Sequence, residues 1–297
     1  MTYSEQTYVK ALRERGKVGP KTFQMLLYHF GSPEAILNTP WEEIAALPRL
    51  NEKRAKEILG AGDWLDDAAL ELNALAREEI RLVTFLEDAY PERLKAINDP
   101  PPLLYLKGEF PVPSERFIAV VGTHEATAEG IAAAAKFGKV LGEAGAVAVS
   151  GLARGIDAAG HVGALKVGGK CYGVLGSGFA QIYPKENEPL AAEVAKNGAL
   201  ISEYAPAVPV NVGQLMARNR IVVGLASAVI VVELPGLEDP EQNNSGTMNA
   251  MEKAREQGKP VYLYDPQKKL SVEKLYQWEA QSLTGPEQLS ELLPYLI

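Results

Sequence analysis

Cysteine is nearly absent from this sequence, which has one cysteine and three histidines among its 297 residues. A single cysteine cannot form an internal disulfide, and the scattered histidines show no spacing typical of a zinc site. The sequence also lacks a run of about 18 apolar residues, and its start is not a basic stretch followed by an apolar core. We therefore expect a cytoplasmic protein that has no metal and no contact with a membrane.

An excess of basic residues is lacking as well. Lysine and arginine total 30 against 38 aspartate and glutamate residues, which gives a net charge of −8. A protein that coats nucleic acid without selectivity usually needs a basic surface, because phosphate binding releases counterions. Any contact with DNA must therefore be confined to a local basic groove.

The first part of the chain has a helical pattern. Apolar residues recur at three- and four-residue spacing in KTFQMLLYHF and EKRAKEIL, which predicts a small all-helical domain over residues 1–79. Its two halves resemble a pair of helix-hairpin-helix, or SAM-like, motifs, whose turns aim backbone N–H groups at DNA phosphates. The first turn keeps Gly19, but the second, Pro48-Arg49-Leu50-Asn51, has no glycine. A helical bundle used for packing or for partners is the alternative.

Residues 80–297 are predicted to form a Rossmann-like domain. Three consecutive prolines in segment 80–116 exclude helix there and predict an extended bridge. From Phe117 onward, the β-rich runs FIAVV, VAVS, CYGVL, ALIS, AVIVVE and VYLY alternate with helical segments. This alternation predicts an α/β fold with a doubly wound, mostly parallel sheet. The residues after Tyr264 are too few for a C-terminal winged helix, and we expect none.

The loops after these strands are the candidates for function. In an open parallel sheet, a ligand binds beyond the carboxyl ends of the strands, where helix N-termini concentrate partial positive charge. Small residues predominate in these loops, so that backbone amides can approach an oxyanion closely; for each glycine alone, an ordinary tight turn is the alternative. The predicted DNA-phosphate-binding residues are Gly122, Thr123, His124, Ser150, Gly151, Arg154, Gly155, Lys185, Arg218, Asn219, Arg220, Ser245, Gly246 and Thr247.

Structural roles are the alternative for some polar residues. Arg218 and Arg220 fall in a predicted helix over residues 212–225, and a pairing with carboxylates such as Asp157 or Glu203 is the alternative to phosphate contact. His161 follows Asp157 by four residues and therefore shares its helix face. We expect His161 to be packed and hydrogen-bonded.

The loop motifs in their order along the chain carry a family resemblance. GTHEAT, SGLARGIDAAGH, LGSG with IYPKEN, ISEY, ARNRIVVGLA and SGT resemble the DNA processing protein A family, also called DprA or Smf. The resemblance implies a protein that binds single-stranded DNA, forms a homodimer and loads the RecA recombinase in natural transformation. It also implies that no reaction is catalysed, and we expect no cofactor. By position, Lys185 corresponds to a basic residue that reaches the DNA backbone.

His124 departs from the family pattern, because most members carry an arginine at this position. A neutral histidine has one hydrogen-bond donor and no charge, against five donors and a permanent charge for arginine. We therefore expect DNA binding that is weaker, or more dependent on pH, than in those members.

Two rival functions remain. LOG phosphoribohydrolases, which are Rossmann-like relatives, cleave nucleoside monophosphates with a PGGxGTxxE loop, but here an insertion separates ELPG from SGT and Ala250 stands in place of the glutamate. Glu252 falls elsewhere on the helix, which disfavours this hydrolase. A nucleotide sensor without catalysis stays open, since the same loops suit a small phosphate ligand. Gly176-Ser177-Gly178 lacks the third glycine of a dinucleotide fingerprint, and no P-loop follows a strand.

Overall fold

The computed structural model describes residues 2–109, 115–234 and 245–296. Contacts between Cα atoms divide the chain into two compact units. The first unit comprises Met1–Tyr90 and Asn98–Tyr105, and the second comprises Pro91–Ile97 and Leu106–Ile297. The domain boundary expected after residue 79 stays a prediction.

The first unit is mainly helical, as the apolar spacing predicts. Three of its helices begin at residues whose side chains accept a backbone N–H three positions on, namely Ser4, Ser32 and Asn51. Its elements are helices α1 (Glu5–Glu14), α2 (Pro20–Phe30), α3 (Pro33–Asn38), α4 (Trp41–Ala45), α5 (Glu52–Leu59) and α6 (Leu65–Arg77), a 3₁₀ turn at Gly60–Trp64, and strand β1 (Ile80–Thr84).

The two turns that the sequence assigns to helix-hairpin-helix motifs lie between α1 and α2 and between α4 and α5. Lys17 in the first turn and Arg49 in the second have positive φ angles of 49° and 65°. Arg54 from α5 donates two hydrogen bonds from Nη2 to the carbonyls of Gly16 and Lys17, at 2.7 and 2.9 Å. The first turn is thus held by a side chain from the second half of the unit. DNA binding by these turns stays a prediction.

The second unit is built on a parallel sheet. Seven of its strands are β3 (Phe117–Val121), β4 (Val147–Ser150), β5 (Cys171–Val174), β6 (Gly198–Ser202), β7 (Ala228–Val231), β8 (Val261–Tyr264) and β9 (Ala280–Leu283). They follow one another in the order β6-β5-β4-β3-β7-β8-β9, and each neighbouring pair is parallel. Strand β2 (Leu103–Gly108) crosses the boundary between the units, and the short helix α7 (Glu92–Lys95) belongs to the second.

Helices cover this sheet and confirm the doubly wound α/β prediction. Every residue of β3 and β6 is buried, as expected for strands with both faces covered. Phe137 is completely buried against the sheet, and burying such a side chain contributes about 1.5–3 kcal/mol. The helices are α8 (Ala128–Glu143), α9 (Ile156–Leu165), α10 (Glu188–Lys196), α11 (Val212–Ala217), α12 (Asn219–Leu225), α13 (Gly246–Glu256), α14 (Val272–Gln277) and α15 (Pro286–Leu292).

The structure corrects the sequence-based elements at two places. The single helix predicted over residues 212–225 is divided into α11 and α12, which meet at Arg218. The predicted extended bridge contains α7 as well as strands. Within the described residues, no helix is both long enough and apolar enough to cross a bilayer.

Candidate nucleic-acid interface

A cavity of about 420 Å³ opens at the carboxyl ends of β3 and β4. The strand order reverses here, because β4 lies on one side of β3 and β7 lies on the other. Such a topological switch point is where open α/β sheets bind their ligands. We call this space the switch-point cavity, and its lining comes from four segments, Val121–Glu125, Gly151–Asp157, Val212–Asn219 and Ser245–Ala250, together with Tyr183 and Pro184.

The first-strand loop contributes a rigid wall and an exposed tip. The backbone N–H of Thr123 donates to the carbonyl of Glu233 at 3.0 Å, and its hydroxyl accepts the N–H of Glu125 at 3.2 Å. Thr123 is buried, whereas the His124 side chain is 69% exposed at the rim. Gly122, Thr123 and His124 therefore lie together, as the sequence predicts, but only His124 projects into solvent.

The second-strand loop is pinned from several sides. The Ser150 hydroxyl donates to the carbonyl of Val120 at 2.6 Å, so its proton is used inside the sheet. Gly155 has a φ of 71°, and a Cβ there would lie 2.5 Å from the carbonyl oxygen of Thr123, so only glycine fits. Asn187 donates from its amide to the carbonyl of Leu152 at 2.8 Å. The loop is thus a fixed surface.

Arg218 forms the floor of the cavity. Its side chain is only 6% exposed, and its Nη1 and Nε donate to the carbonyls of Val174 and Leu215 at 3.1 and 3.3 Å. A Cβ at Gly151 would fall 1.1 Å from Nη1, so the guanidinium lies directly beneath this glycine. Burial lowers the pKa of Arg218, opposed by the charge of Asp157.

Asp157 holds the loop above this guanidinium. Its carboxylate accepts the N–H of Gly151 at 3.1 Å. Burial raises the pKa of Asp157, opposed by the positive charge of Arg218 and by hydrogen bonds from the backbone N–H groups of Gly151 and Ala153. The charges of Asp157 and Arg218 attract each other at the cavity floor. This agrees in part with the alternative in which Arg218 pairs with a carboxylate instead of a phosphate.

Arg220 does not lie on the cavity. Its guanidinium forms a bidentate ion pair with Glu203, at 3.0 and 2.8 Å, and both side chains are at most 6% exposed. This is the carboxylate pairing that the sequence offers as an alternative, so Arg220 is removed from the candidate interface. Asn219 lies between the two arginines and donates to the carbonyl of Gly246 at 3.0 Å, which fixes the start of α13.

Two cations lie at the rim. Arg154 is half exposed and forms a bidentate ion pair with Glu186, with Nη2 at 2.9 Å from Oε2, and this carboxylate raises the pKa of Arg154. Lys185 is exposed and follows the cavity-lining residues Tyr183 and Pro184. Within the described ranges, no carboxylate pairs with Lys185.

The start of α13 completes the cavity. The Ser245 hydroxyl accepts the N–H of Met248 at 3.3 Å, and the first turn contains no acidic residue. Gly246 and Thr247 line the cavity, and the buried Ala250 forms its wall. The insertion and the acidic stretch that precede Ser245 fall on residues 235–244, outside the described residues.

Glu233 is a residue that the sequence interpretation missed. It ends the run AVIVVE and begins ELPG, neither of which predicts a role for it, but its carboxylate accepts hydrogen bonds from the backbone N–H and the hydroxyl of Thr127, each at 3.0 Å. A glutamate two residues after a strand of a doubly wound sheet is the signal that could have found it. The carboxyl end of that strand faces the ligand crevice.

His161 and Cys171 do not line the cavity. His161 is packed as expected, but neither ring nitrogen has a hydrogen-bond partner among the described residues. Burial, together with Arg218, lowers the pKa of His161 to about 4. Cys171 is buried, and burial raises the pKa of its thiol to about 12. No group of three or more His, Cys, Asp or Glu residues in the described part of the chain is arranged to hold a metal ion.

Known protein families match most of this chain. Residues 81–294 match the model of the family described as DNA recombination-mediator protein A, and residues 12–61 match that of a SAM-like helix-hairpin-helix tandem. DNA processing protein DprA of Bacillus subtilis is 36% identical over 229 residues, which cover 75% of this chain and 74% of that protein. Protein Smf of Synechocystis sp. is 31% identical over 246 residues, which cover 79% of this chain and 60% of that protein.

Two solved structures share the fold. The X-ray structure of DNA processing protein A from Streptococcus pneumoniae covers 99% of both chains with a TM-score of 0.79 and 26% identity. The structure of DNA processing protein A from Helicobacter pylori, which concerns its single-stranded DNA binding mode, covers 72% of this chain and 96% of that one. Its TM-score is 0.61 and its identity is 26%.

Proposed function

Because the chain belongs to the DNA recombination-mediator protein A family, we propose that its switch-point cavity binds the backbone of single-stranded DNA without catalysing a reaction. The observation that carries this proposal is the guanidinium of Arg218. Its Nε and Nη1 have carbonyl partners, whereas Nη2 has no hydrogen-bond partner among the described residues. A buried cation with an unused donor favours an anion, because charge-assisted hydrogen bonds are strongest away from water.

Backbone amides supply the neutral part of the phosphate site. The N–H groups of Arg154, Gly155, Gly246 and Thr247 donate to no acceptor in the described part of the chain. The latter two belong to the first turn of α13, where the helix dipole adds partial positive charge. A phosphate between the second-strand loop and α13 would receive hydrogen bonds from both sides.

The rim cations extend the path of the strand beyond the cavity. Lys185 offers an ammonium group to the next phosphate, while Arg154 reaches a phosphate by exchanging Glu186 for it. Such contacts hold the backbone and carry no sequence information, so we propose binding that is nearly independent of base sequence. Arg154, Lys185 and Arg218 thus give an acidic protein a local basic strip.

Several features support a binding role rather than catalysis. Ala250 lies on the cavity wall where the LOG hydrolases require a glutamate, and Glu252 is exposed and not part of the lining. From the family, we also propose that the protein forms a homodimer and delivers single strands to the RecA recombinase. The single buried cysteine fits the reducing cytoplasm, where we propose that it acts.

The direct test is a titration of labelled oligothymidine, of blunt duplex DNA and of AMP, each at two or more salt concentrations. We expect the single strand to bind best, with a log-affinity that falls with log-salt by roughly 0.7 per phosphate neutralised. Equal affinity for the blunt duplex, or no dependence on salt, would contradict the proposal. Arg220→Lys is the control variant, because Arg220 lies outside the cavity. We expect its affinity for the single strand to equal that of the wild type.

A nucleotide sensor is the second candidate. The cavity volume of about 420 Å³ lies within the range of roughly 300–1,000 Å³ that is usual for small-molecule sites. Val212, Leu215 and Met216 give it an apolar side suited to a base. Binding of AMP at concentrations at which oligothymidine does not bind would favour this candidate.

A further inference from the structure

The N-terminus of α8 is the position at which a doubly wound sheet usually receives a diphosphate. It follows β3, the strand at which the strand order reverses, and dinucleotide-binding proteins place the pyrophosphate at this first helix. In this protein a carboxylate from its own chain already occupies the position.

That carboxylate belongs to Glu233, which lies two residues after the end of β7. Its Oε2 accepts hydrogen bonds from the backbone N–H and the hydroxyl of Thr127, the N-cap of α8, and Oε1 lies 3.3 Å from the same N–H. The main chain of Glu233 is fixed as well, because its carbonyl accepts the N–H of Thr123. The carboxylate is therefore held from both ends.

Gly130 provides the space for this contact. A Cβ at Gly130 would lie 1.9 Å from Oε2 of Glu233, so the carboxylate fills the volume that a side chain would take. Gly130 lies in the first turn of α8, where its N–H donates to the Thr127 hydroxyl. The carboxylate thus has the place and the hydrogen bonds that a phosphate oxygen takes at such a helix start.

The helices on the other side of the cavity differ. The start of α13 has no acidic residue in its first turn, and the Asp157 carboxylate at the start of α9 turns back onto Gly151. Around α8, by contrast, Glu125 and Glu129 add two more negative charges. Negative charge at the start of α8 and its absence at the start of α13 direct a single phosphate towards α13.

We propose that Glu233 is a specificity-determining residue whose carboxylate occupies the start of α8 and limits the switch-point cavity to one phosphate group, excluding diphosphates such as those of nucleoside diphosphates and dinucleotides. This inference rests on the proposed binding of phosphate in the cavity. It assigns selection among phosphate ligands to a residue that is not expected to touch the bound strand.

The test compares the affinities for ADP and AMP, by calorimetry, in wild type, Glu233→Ala and Glu233→Gln. Removing the carboxylate frees the Thr127 N–H and the space beside Gly130, and we expect Glu233→Ala to gain affinity for ADP over AMP by about tenfold. Glu233→Gln loses the charge but keeps the shape, so its gain is smaller. Glu129→Gln is the matched control, because it removes an exposed charge from the same helix turn while Glu233 still occupies the Thr127 N–H, so we expect its gain to be well below that of Glu233→Ala.

A double variant separates space from charge. Gly130→Ala combined with Glu233→Ala places a methyl group in the vacated volume and is expected to abolish the gain. A wild-type protein that already prefers ADP, a Glu129→Gln variant that gains as much as Glu233→Ala, or no gain in either Glu233 variant would overturn the proposal. If Glu233→Ala does not fold, as judged by thermal unfolding, the result for Glu233→Gln decides.

Oligothymidine binding is measured on the same preparations. If the wild type does not bind the single strand, the proposed function fails, whatever the nucleotide ratios are. If the wild type binds the strand but no Glu233 variant gains ADP, only the present inference fails.

Discussion

Gly151→Ala tests the relation between the second-strand loop and the cavity floor without changing any charge. The added Cβ would lie 1.1 Å from Nη1 and 1.7 Å from Cζ of Arg218, so the guanidinium has to leave its position. It would give up its hydrogen bonds to the carbonyls of Val174 and Leu215. Overpacking of this kind costs about 1–3 kcal/mol, and lost hydrogen bonds of a charged group add about 1.5–3 kcal/mol each at most. We therefore expect the free energy of unfolding to fall by about 3 kcal/mol.

The same change should be almost harmless once the guanidinium is gone. In an Arg218→Met background the methyl group enters space that Cζ and Nη1 have left, so we expect a cost below about 1 kcal/mol. The coupling between the two substitutions is then about 2 kcal/mol, within the range found for residues in contact. Urea unfolding of the wild type, both single variants and the double variant measures it.

Gly246→Ala is the matched control for the glycine substitution. A Cβ at Gly246 meets no atom within 4 Å, so the free energy of unfolding should stay within about 0.5 kcal/mol of the wild type. Single-strand affinity should fall in both glycine variants, in Gly151→Ala because Arg218 is displaced and in Gly246→Ala because a phosphate approaches the α13 backbone. Equal costs of Gly151→Ala in the two backgrounds would refute the argument that Arg218 requires a glycine at this position.

Three further predictions concern the rim and the interior. His124→Arg adds a permanent charge and more donors at the exposed loop tip, so we expect tighter oligothymidine binding, by at most roughly 3 kcal/mol; unchanged affinity at both pH 6 and pH 8 would remove this loop from the DNA path. Lys185→Ala should weaken binding to all sequences alike and reduce the salt dependence, whereas Lys196→Ala, at the far end of α10, should change neither in the same titration. Burial lowers the pKa of His161 to about 4. The stability that is present above the unfolded pKa of about 6.5 is therefore lost as the pH falls from there to 4, by up to about 3 kcal/mol. His161→Met should show a smaller loss in urea unfolding between pH 7 and pH 4.

Much of the second unit could be predicted from local sequence. Its six β-rich runs each form a strand, because a parallel strand buried on both faces requires a short continuous run of apolar residues. The helical segments predicted between these runs form as well, and α8 starts where the side chain of Thr127 caps it. The prediction was wrong where the local signal was weak. Helix α7 was missed because its four residues are too few to show a helical period. The break between α11 and α12 was missed because it depends on a tight hydrogen bond from the N–H of Ile221 to the carbonyl of Arg218.

The position of the candidate site could be predicted from the sequence, but the partner of each charged side chain could not. Residues that follow strands were expected to meet at one edge, and most of them line the cavity. Which partner each charged side chain selects depends on contacts far apart in sequence: Arg154 with Glu186 is separated by 32 residues, and Glu233 with Thr127 by 106. Spacing along the chain contains no information on such pairs, so the interpretation could not separate Arg218 on the cavity floor from Arg220 in its ion pair.

The second-strand loop has a consequence for the thermodynamics of binding. Leu152 is held with a φ of 55°, which is unusual for a residue with a side chain, and that side chain is completely buried while Asn187 clamps its carbonyl. Conformational entropy of this loop is therefore lost when the chain folds and not when a ligand arrives. When the DNA binds, nearly all of the conformational entropy that is lost is therefore that of the flexible strand.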